Sequence, residues 1–370
     1  MTTNKYYIGI MSGTSLDAVD VALVDFETKR LEVIATHAEP IPKALKQDVL
    51  ALCYPGENAI QRMGEADVKL GRLFSKTVLQ LLKKEKLSAK DIVAIGSHGQ
   101  TIRHVPDTKF PFTLQIGDPN IIAAKTDITV VADFRRRDIA LGGQAAPLAP
   151  AFHNYLFRDS SETVGVLNIG GIANLTVLPA DPSQTVIGFD TGPGNTLMDA
   201  WYQKHQRGNY DKDGKWATSG RCNQALLQRL LSDTYFKKAP PKSTGREYFH
   251  LDWLQPHIPD SIQTEDVQAT LLQLTARSIS DTLHLPKNKI TTLWLCGGGT
   301  HNQRLVQQLQ QFNKNIKIQS TENMGINPDW IEATAFAWLA RQTLNKKPGN
   351  IPSVTGAKTS SILGAIFRKN

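Results

Sequence analysis

The chain has 370 residues, of which 41% are hydrophobic and 21% charged, proportions that are typical of a globular protein and exclude a low-complexity one. The formal net charge is +8, yet the basic residues are scattered, and the densest runs are Lys83–Lys86 and Arg135–Arg137. A nucleic-acid surface is therefore not predicted.

Chain length, cysteine spacing and the apolar segments limit the kinds of protein that this sequence can form. A chain this long is expected to form two domains or one duplicated architecture. Cys53, Cys222 and Cys296 lie far apart without a CxxC motif, so we predict neither a disulfide framework nor a thiolate metal site. The N-terminus enters a strand directly, and no segment approaches the roughly 20 apolar residues of a membrane span. We expect a cytoplasmic protein with no membrane partner.

The first predicted element is a hairpin over Ile8–Phe26. Its loop is crowded with small and polar residues, namely Ser12, Gly13, Thr14, Ser15 and Asp17. A tight turn needs fewer of them, so the loop is a candidate for chemistry. A third strand, "LEVIATHAEP", an amphipathic helix over about Ala59–Lys86 and a buried strand in "DIVAIGSHGQ" follow.

A second cycle begins near Asp133, with a helix over about Leu148–Phe157 and then "TVGVLNIGGIANLTVLP", which reads as strand, glycine turn and strand. This segment imitates the opening hairpin, and such a repeat implies two similar halves with a cleft between them. A third glycine cluster, Gly297–Gly299, follows the strand "TTLWLC" and precedes an amphipathic helix. Each half is predicted to be an α/β layer.

The glycine clusters suit phosphate binding, because small residues let several backbone N–H groups approach one anion. Neither a P-loop nor a GxGxxG fingerprint is present. Each cluster alone is weak evidence, since a hairpin turn also explains a glycine pair. Three clusters in order, the third opening a helix, favour a nucleotide site.

Nine segments in order resemble the motifs of the anhydro-N-acetylmuramic acid kinase family: "IGIMSGTSLDAVDVALVDF", "GSHGQTIRH", "LQIGD", "DFRRRDIALGGQ", "LNIGGIANLT", "FDTGPGN", "KSTGREYF", "LWLCGGGTHN" and "EATAFAWLA". The resemblance extends from about Ile8 to Phe367. It implies the fold of the actin, sugar-kinase and heat-shock-protein ATPase group: an α/β protein with duplicated, ribonuclease H-like domains and an inter-domain cleft that closes over ATP and Mg²⁺.

The resemblance also implies a domain division and a set of ligand residues. Residues 1–133 would form the first domain and 134–370 the second, with the C-terminal tail free to pack on the first. The implied ATP-binding residues are Ser12, Gly13, Thr14, Ser15, Leu16, Asp17, Ala18, Val19, Asp20, Asn168, Gly170, Gly171, Gly297, Gly298 and Gly299. Asp17 would also hold Mg²⁺, through water. Two positions depart from the family pattern, because Ala18 and Ala145 stand where glycine is common.

Asp190 is the candidate catalytic base. "GFDTGPGNTLMDAW" places it at a strand end, where a carboxylate can take a proton. The alternative is a helix N-cap, although Asn195 is the better cap candidate. Asp199 lies inside the following helix, a position that allows it to face solvent. The resemblance assigns the general-base role to the position of Asp190.

Polar residues at other strand ends suit hydrogen bonds to a sugar. The substrate candidates are His98, Gln100, Gln115, Asp118, Arg135 and Glu332. His98 and His104 alone do not make a zinc site. Arg135 and its neighbours either form a domain-joining salt-bridge cluster or include one arginine that binds the substrate's lactyl carboxylate. Glu332 begins a helix, where its charge alone would be favourable.

Together these features predict an enzyme that opens 1,6-anhydro-N-acetylmuramic acid with water and phosphorylates the freed 6-oxygen from ATP, in peptidoglycan recycling. A kinase for an ordinary open sugar is the first alternative. A nucleotide-switched, actin-like or chaperone-like binding protein is the second. The resemblance implies a homodimer, and no nucleic-acid partner is expected.

Overall fold

The structure is a computed structural model that describes residues 5–13, 16–27, 31–285 and 289–369. The chain forms two compact units, one containing residues up to Phe152 together with those from Trp330 onward, the other spanning His153–Asp329. Each unit has its own hydrophobic core. The division expected from the sequence lay after residue 133, whereas the first unit extends to Phe152 and includes the C-terminal segment.

The described strands are short and alternate with helices. The strands are β1 (Tyr6–Ser12), β2 (Ala18–Asp25), β3 (Glu32–Pro40), β4 (Ile92–Ser97), β5 (Gln100–Val105), β6 (Phe112–Ile116), β7 (Val130–Ala132), β8 (Val164–Ile169), β9 (Ile172–Leu178), β10 (Ile187–Pro193), β11 (Thr292–Cys296), β12 (Lys317–Ser320) and β13 (Ala365–Phe367). The helices are α1 (Lys43–Leu52), α2 (Ala59–Lys84), α3 (Pro119–Thr126), α4 (Arg136–Ala140), α5 (Ala149–Phe157), α6 (Thr196–His205), α7 (Lys215–Ser219), α8 (Gln224–Leu231), α9 (Thr234–Lys237), α10 (Leu251–Leu254), α11 (Thr264–Leu283), α12 (Gln303–Phe312), α13 (Ile331–Leu344) and α14 (Pro352–Thr355). Among the described residues, no helix has the length and apolarity needed to cross a membrane.

The sheet of the first unit has the order β13-β7-β4-β1-β2-β3. Strands β1, β2 and β3 are antiparallel neighbours, whereas β4 is parallel to β1 and β7 is parallel to β4. The C-terminal strand β13 adds to the far edge, antiparallel to β7. The predicted first hairpin is therefore present, with Ser12 opposite Val19 at its closed end.

The sheet of the second unit repeats this plan in the order β10-β9-β8-β11-β12. Its first three strands are antiparallel, and β11 and β12 continue in parallel from β8. In both units the first strand is central, and its near-continuous apolar sequence suits a strand covered on both faces. The predicted mixed α/β class with a duplicated architecture is confirmed.

Helix α13 packs directly on the backbone of the first sheet. A Cβ atom added to Gly9 of β1 would overlap the Ala333 carbonyl oxygen, and one added to Gly96 of β4 would overlap that of Phe336. The two glycines therefore allow the helix backbone to approach β1 and β4 more closely than any side chain would permit. This contact explains why the segment from Trp330 onward belongs to the first unit.

We expect Gly96→Ala to lower the free energy of unfolding by about 3 kcal/mol, since the new methyl group meets backbone atoms that cannot rotate away. Urea denaturation followed by circular dichroism measures this change. The matched control is Gly64→Ala in α2, where an added Cβ has no neighbour within 4 Å. That variant should be more stable by about 0.5–1 kcal/mol, because alanine is the better helix former. Equal stability of the two variants would contradict the close-packing argument.

Candidate functional site

The first loop is anchored by a buried side-chain hydrogen bond. The Ser12 hydroxyl at the end of β1 donates to the Gln100 side-chain oxygen at 2.6 Å, and both residues are almost fully buried. Two of the predicted ATP-binding residues, Thr14 and Ser15, lie outside the described residues. The Gly13 carbonyl accepts a backbone hydrogen bond from the Leu16 N–H group.

The remaining residues of this loop differ in whether their side chains are buried or exposed to solvent. The side chains of Leu16 and Val19 lie in the hydrophobic core, so only their backbone groups are open to a ligand. The Asp17 side chain is 72% exposed and forms an ion pair of 2.8 Å with Lys46. Ala18 and Asp20 belong to β2. The first loop thus offers backbone groups, one buried hydroxyl and one exposed carboxylate.

The two alanines that replace family glycines have different conformations. Ala18 is the first residue of a regular strand and pairs with Pro40, so the methyl group causes no backbone strain. Ala145 has a φ of +54°, in the left-handed region that favours glycine. Only the second substitution therefore strains the backbone.

His98, Gln115 and Asp118 line a cavity of about 370 Å³ in the first unit. Gln115 donates from its amide nitrogen to the hydroxyls of Thr101 and Thr113. Asp118 caps α3 by accepting the Asn120 N–H at 2.8 Å. The structure thus brings these three predicted substrate residues together, and it gives Asp118 a helix-capping contact that was not predicted.

Arg135 and His98 are hydrogen-bonded neighbours. The guanidinium donates from Nε to His98 Nε2 at 3.1 Å. Because arginine only donates, Nε2 must be an acceptor, so the ring is neutral and its proton is on Nδ1. Burial and the Arg135 charge both hold the pKa of His98 well below its usual range. His98 is therefore a fixed polar group and is unsuited to proton transfer.

Glu332 lies in the first turn of α13, as predicted. Its attraction to Arg135 lowers the pKa of the Glu332 carboxyl, but desolvation is the larger influence and raises it. Burial lowers the pKa of Arg135 to about 10, which still leaves the guanidinium charged at neutral pH. The two residues therefore influence each other electrostatically within the first unit. Among the described residues, no three His, Cys, Asp or Glu side chains are placed to hold a metal ion.

The glycine turn after β8 is joined to the start of α6 by backbone hydrogen bonds. Gly170 accepts the Asn195 N–H at 2.8 Å, and Gly171 accepts the N–H groups of Gly194 and Thr196. Asn195 occupies the N-cap position, but its side chain donates to the Ile169 carbonyl and does not cap the helix. The turn is therefore held rigidly by a neighbouring strand end and helix.

The third glycine cluster lies against the second. An added Cβ on Gly297, whose φ is +80°, would overlap the Asn168 side chain, and one on Gly299 would overlap Ile169. Gly298, in contrast, has open space around it. The structure thus brings Asn168 and the two glycine clusters together in the second unit.

A cavity of about 670 Å³ adjoins these clusters and includes Gly298 in its wall. Several lining residues were not predicted as site residues: Asp199, Asp211, Lys212, Asp213 and His301. Asp199 lies in the cavity wall and is partly exposed; burial is the main reason that its pKa rises to about 7. Asn195 also lines this cavity. Because residues one helical turn apart share a helix face, the spacing of Asp199 from Asn195 could have indicated from the sequence that the two lie on the same side.

Asp190, the predicted base, lies in β10 and is held by α9 and the segment that follows it. Its Oδ2 accepts the Thr244 N–H at 3.0 Å, its backbone N–H donates to the Lys242 carbonyl, and its carbonyl accepts the Tyr235 hydroxyl. Desolvation raises the pKa of its carboxyl to about 6, against the opposing effect of the Thr244 N–H. A fixed carboxylate with a pKa near neutrality suits proton transfer.

The raised pKa makes ionised Asp190 unfavourable for folding. Its stabilising contribution is complete below the unfolded value of 3.8 and is lost as pH rises through about 6. Asp190→Asn, which mimics the neutral acid, should therefore exceed the wild type in unfolding free energy by up to about 3 kcal/mol at pH 8 and match it near pH 4.

Urea denaturation at the two pH values measures the difference. The control is Asp181→Asn in the same unit, where the hydrogen bonds of Ser183 lower the pKa of an exposed carboxyl. This control should show no gain at high pH. An Asp190→Asn protein that is less stable than the wild type at pH 8 would contradict the raised pKa.

Comparisons with known proteins agree with the motifs. The profile of the anhydro-N-acetylmuramic acid kinase family matches residues 5–369. Curated relatives named anhydro-N-acetylmuramic acid kinase include one from Coxiella burnetii (strain RSA 493 / Nine Mile phase I), 59% identical over 98% of this chain and 97% of its own. Another, from Pasteurella multocida (strain Pm70), is 50% identical over 98% and 97%. Among solved structures, the activator of 2-hydroxyisocaproyl-CoA dehydratase from Clostridium difficile aligns over 91% of this chain and 97% of that one, with a TM-score of 0.45 and 12% identity. On the family match and these identities, the chain belongs to the anhydro-N-acetylmuramic acid kinase family.

Proposed function

We propose that the protein is an ATP-dependent kinase that opens the anhydro bridge of 1,6-anhydro-N-acetylmuramic acid with water and phosphorylates the 6-oxygen. The product is N-acetylmuramic acid 6-phosphate, and the reaction serves peptidoglycan recycling. Family membership over nearly the whole chain supports the reaction and the substrate. The observation that carries the mechanism is the fixed, partly buried carboxylate of Asp190 with its pKa of about 6.

In this proposal ATP is held by the glycine turns. The turn at Gly170 and Gly171 is immobilised by backbone hydrogen bonds to its two carbonyls, and the Gly170 N–H donates to the Ile172 carbonyl. The Gly171 N–H is therefore the proposed donor to a phosphate oxygen, held in place at little entropic cost. Gly298 combines open space with a place in the wall of the larger cavity, which suits the nucleoside. The loop at Ser12 and Gly13 serves the terminal phosphates.

Asp17 is the proposed holder of hydrated Mg²⁺. Its carboxylate is exposed, and its ion pair with Lys46 is of the solvent-exposed kind that contributes little stability. A hydrated cation can therefore compete for this carboxylate. Bound Mg²⁺ supplies neutralisation of the charge on the β- and γ-phosphates.

The first unit supplies the proposed sugar-binding groups. Arg135 uses one N–H from each of its three nitrogens on His98 and on the Ala145 carbonyl. Guanidinium carries five such donors, so two remain for the lactyl carboxylate. His98, Gln100, Gln115, Asp118 and Glu332 are the proposed partners of the hydroxyl and acetamido groups.

Asp190 acts as the base in the chemical step. The ionised carboxylate takes a proton from water while the water oxygen bonds to the anomeric carbon of the sugar. The bond from that carbon to the 6-oxygen breaks, and the electron pair left on the 6-oxygen bonds to the γ-phosphorus as ADP departs. Bridge opening and phosphoryl transfer assist each other, because the phosphorus captures the alkoxide that opening would otherwise release.

We also propose that the enzyme works in the cytoplasm as a homodimer. The three cysteines are free thiols, as expected in a reducing compartment. The homodimer rests on the family resemblance.

Asp190→Asn should lower kcat by about 10² to 10⁴, the usual size of general acid–base catalysis, with an unchanged Kd for ATP. In the wild type, kcat/KM should fall below about pH 6, because protonated Asp190 cannot accept a proton. A coupled assay for ADP and a titration with an ATP analogue measure both effects. Asp181→Asn is the control, and near-normal turnover of Asp190→Asn would remove Asp190 from the mechanism.

In ¹⁸O-labelled water, the label should appear on the anomeric carbon of the product and not in its phosphate. Mass spectrometry of promptly quenched product measures this, since free reducing sugars slowly exchange the anomeric oxygen with solvent. Open N-acetylmuramic acid, incubated in parallel, should be a poor substrate. Label in the phosphate, or equal phosphorylation of the open sugar, would favour an ordinary sugar kinase.

A further inference from the structure

A fully buried carboxylate, Asp138, lies near Arg135, one of the proposed sugar-binding residues. Its Oδ1 accepts hydrogen bonds from the Asn350 amide at 2.7 Å and the Thr355 hydroxyl at 2.9 Å. Its Oδ2 accepts the Ala145 N–H at 2.7 Å. Each donor is buried, so these bonds compensate for the cost of removing the carboxylate from water.

The Ala145 bond holds a strained residue. A non-glycine residue in the left-handed region costs about 1–2 kcal/mol, and Ala145 persists there at a φ of +54°. The neighbouring Gln144 N–H donates to the Thr355 carbonyl at 2.7 Å, which adds a second restraint. Asp138 and the C-terminal segment therefore fix the direction of the Ala145 carbonyl.

That carbonyl accepts a hydrogen bond from Arg135 Nη1, and Arg135 in turn donates to His98. A continuous chain of hydrogen bonds thus runs from Asp138 through Ala145 and Arg135 to His98. Arg135 has a second contact in the His98 ring, whose neutral Nδ1–H tautomer leaves Nε2 able to accept from the guanidinium. The position of the guanidinium therefore depends on both the Ala145 carbonyl and His98 Nε2.

We propose that Asp138 is a positioning residue for substrate binding. By holding Ala145 in its left-handed conformation, it aims the Ala145 carbonyl at Arg135 and so orients the guanidinium and the His98 ring. Asn350 and Thr355 of the C-terminal segment hold Asp138 in place through their hydrogen bonds to Oδ1. The link to the substrate carboxylate rests on the proposed function, whereas the orientation of Arg135 and His98 does not.

The first variant is Asp138→Asn. An amide has one acceptor and one donor group, so it must place its NH₂ against Ala145 or against the donors of Asn350 and Thr355. The matched control is Asp25→Asn, which alters another buried aspartate of the same unit, one paired with Lys5 and far from Arg135 in the sheet order. A second pair is Thr355→Val, which removes the hydroxyl, and Thr355→Ser, which keeps it.

Two measurements are made on folded protein. For Asp138→Asn we expect the KM for the anhydro sugar to rise about tenfold or more, with kcat and the KM for ATP changed less than about threefold. Thr355→Val should show a smaller rise that Thr355→Ser abolishes. Independently of activity, ¹⁵N-histidine NMR should show the fixed Nδ1–H tautomer of His98 in the wild type and its loss in Asp138→Asn. The His98→Asn spectrum assigns the signals.

The outcomes test separately whether Asp138 positions Arg135 and His98 and whether that positioning affects substrate binding. Unchanged His98 signals in folded Asp138→Asn would overturn the positioning role, and altered signals with an unchanged sugar KM would overturn its link to substrate. A rise in sugar KM for Asp25→Asn equal to that for Asp138→Asn would show a general stability effect and overturn the proposal. If Asp138→Asn does not fold, the Thr355 pair decides by the same criteria. A wild type that does not phosphorylate the anhydro sugar contradicts the proposed function, while the NMR result still decides the role of Asp138.

Discussion

The direct packing of α13 on the backbone of β1 and β4 is the constraint on which the arrangement of His98, Arg135 and Glu332 in the first unit depends. Gly9 and Gly96 remove the side chains that would keep the helix away. As a result the Phe336 ring lies 4.8 Å from the His98 ring, centroid to centroid. Glu332, one helical turn earlier, faces the same side and interacts with Arg135. Helix α13 thus lies against residues at the strand ends of the first sheet.

Burial then determines which groups can move protons. His98 is neutral because it is buried beside a cation, and its acceptor nitrogen is occupied by Arg135. Asp190 is also partly desolvated, but only one hydrogen bond, from Thr244, opposes the rise of its pKa. The same physical effect, desolvation, therefore keeps His98 neutral and brings the pKa of Asp190 near neutrality. An ionised Asp190 is unfavourable for folding, which is a common property of catalytic groups.

The duplicated sheets carry loops that are stabilised differently. The first loop is anchored by the side-chain bond between Ser12 and Gln100. The corresponding turn at Gly170 and Gly171 is anchored through backbone bonds to the start of α6. The same sheet topology therefore carries two kinds of turn. The loop after β1 contains an exposed carboxylate, Asp17, whereas the turn after β8 adjoins a cavity large enough for a nucleoside.

Much of the fold could be predicted from local sequence, because strand alternation, helical periodicity and glycine turns are short-range properties. The first hairpin, the repeat at β8 and β9, and the helices at Ala59–Lys84 and Ala149–Phe157 agree with the sequence patterns to within a few residues. The motif order was sufficient for the family, since the motifs extend along nearly the whole chain.

The chemical character of individual side chains was decided only by the tertiary structure. Whether Leu16 and Val19 face the core, Asp199 faces a cavity or Asn195 caps its helix depends on neighbours that periodicity does not specify. The pKa of Asp190 depends on Thr244, 54 positions away, and Asp138 is satisfied by Asn350 across 212 positions. Sequence by itself determined which elements form and which residue types are available for catalysis, because those depend on short stretches of chain. Their burial, charge state and orientation required the folded structure, because solvent exclusion and hydrogen bonding depend on atoms that only folding brings together.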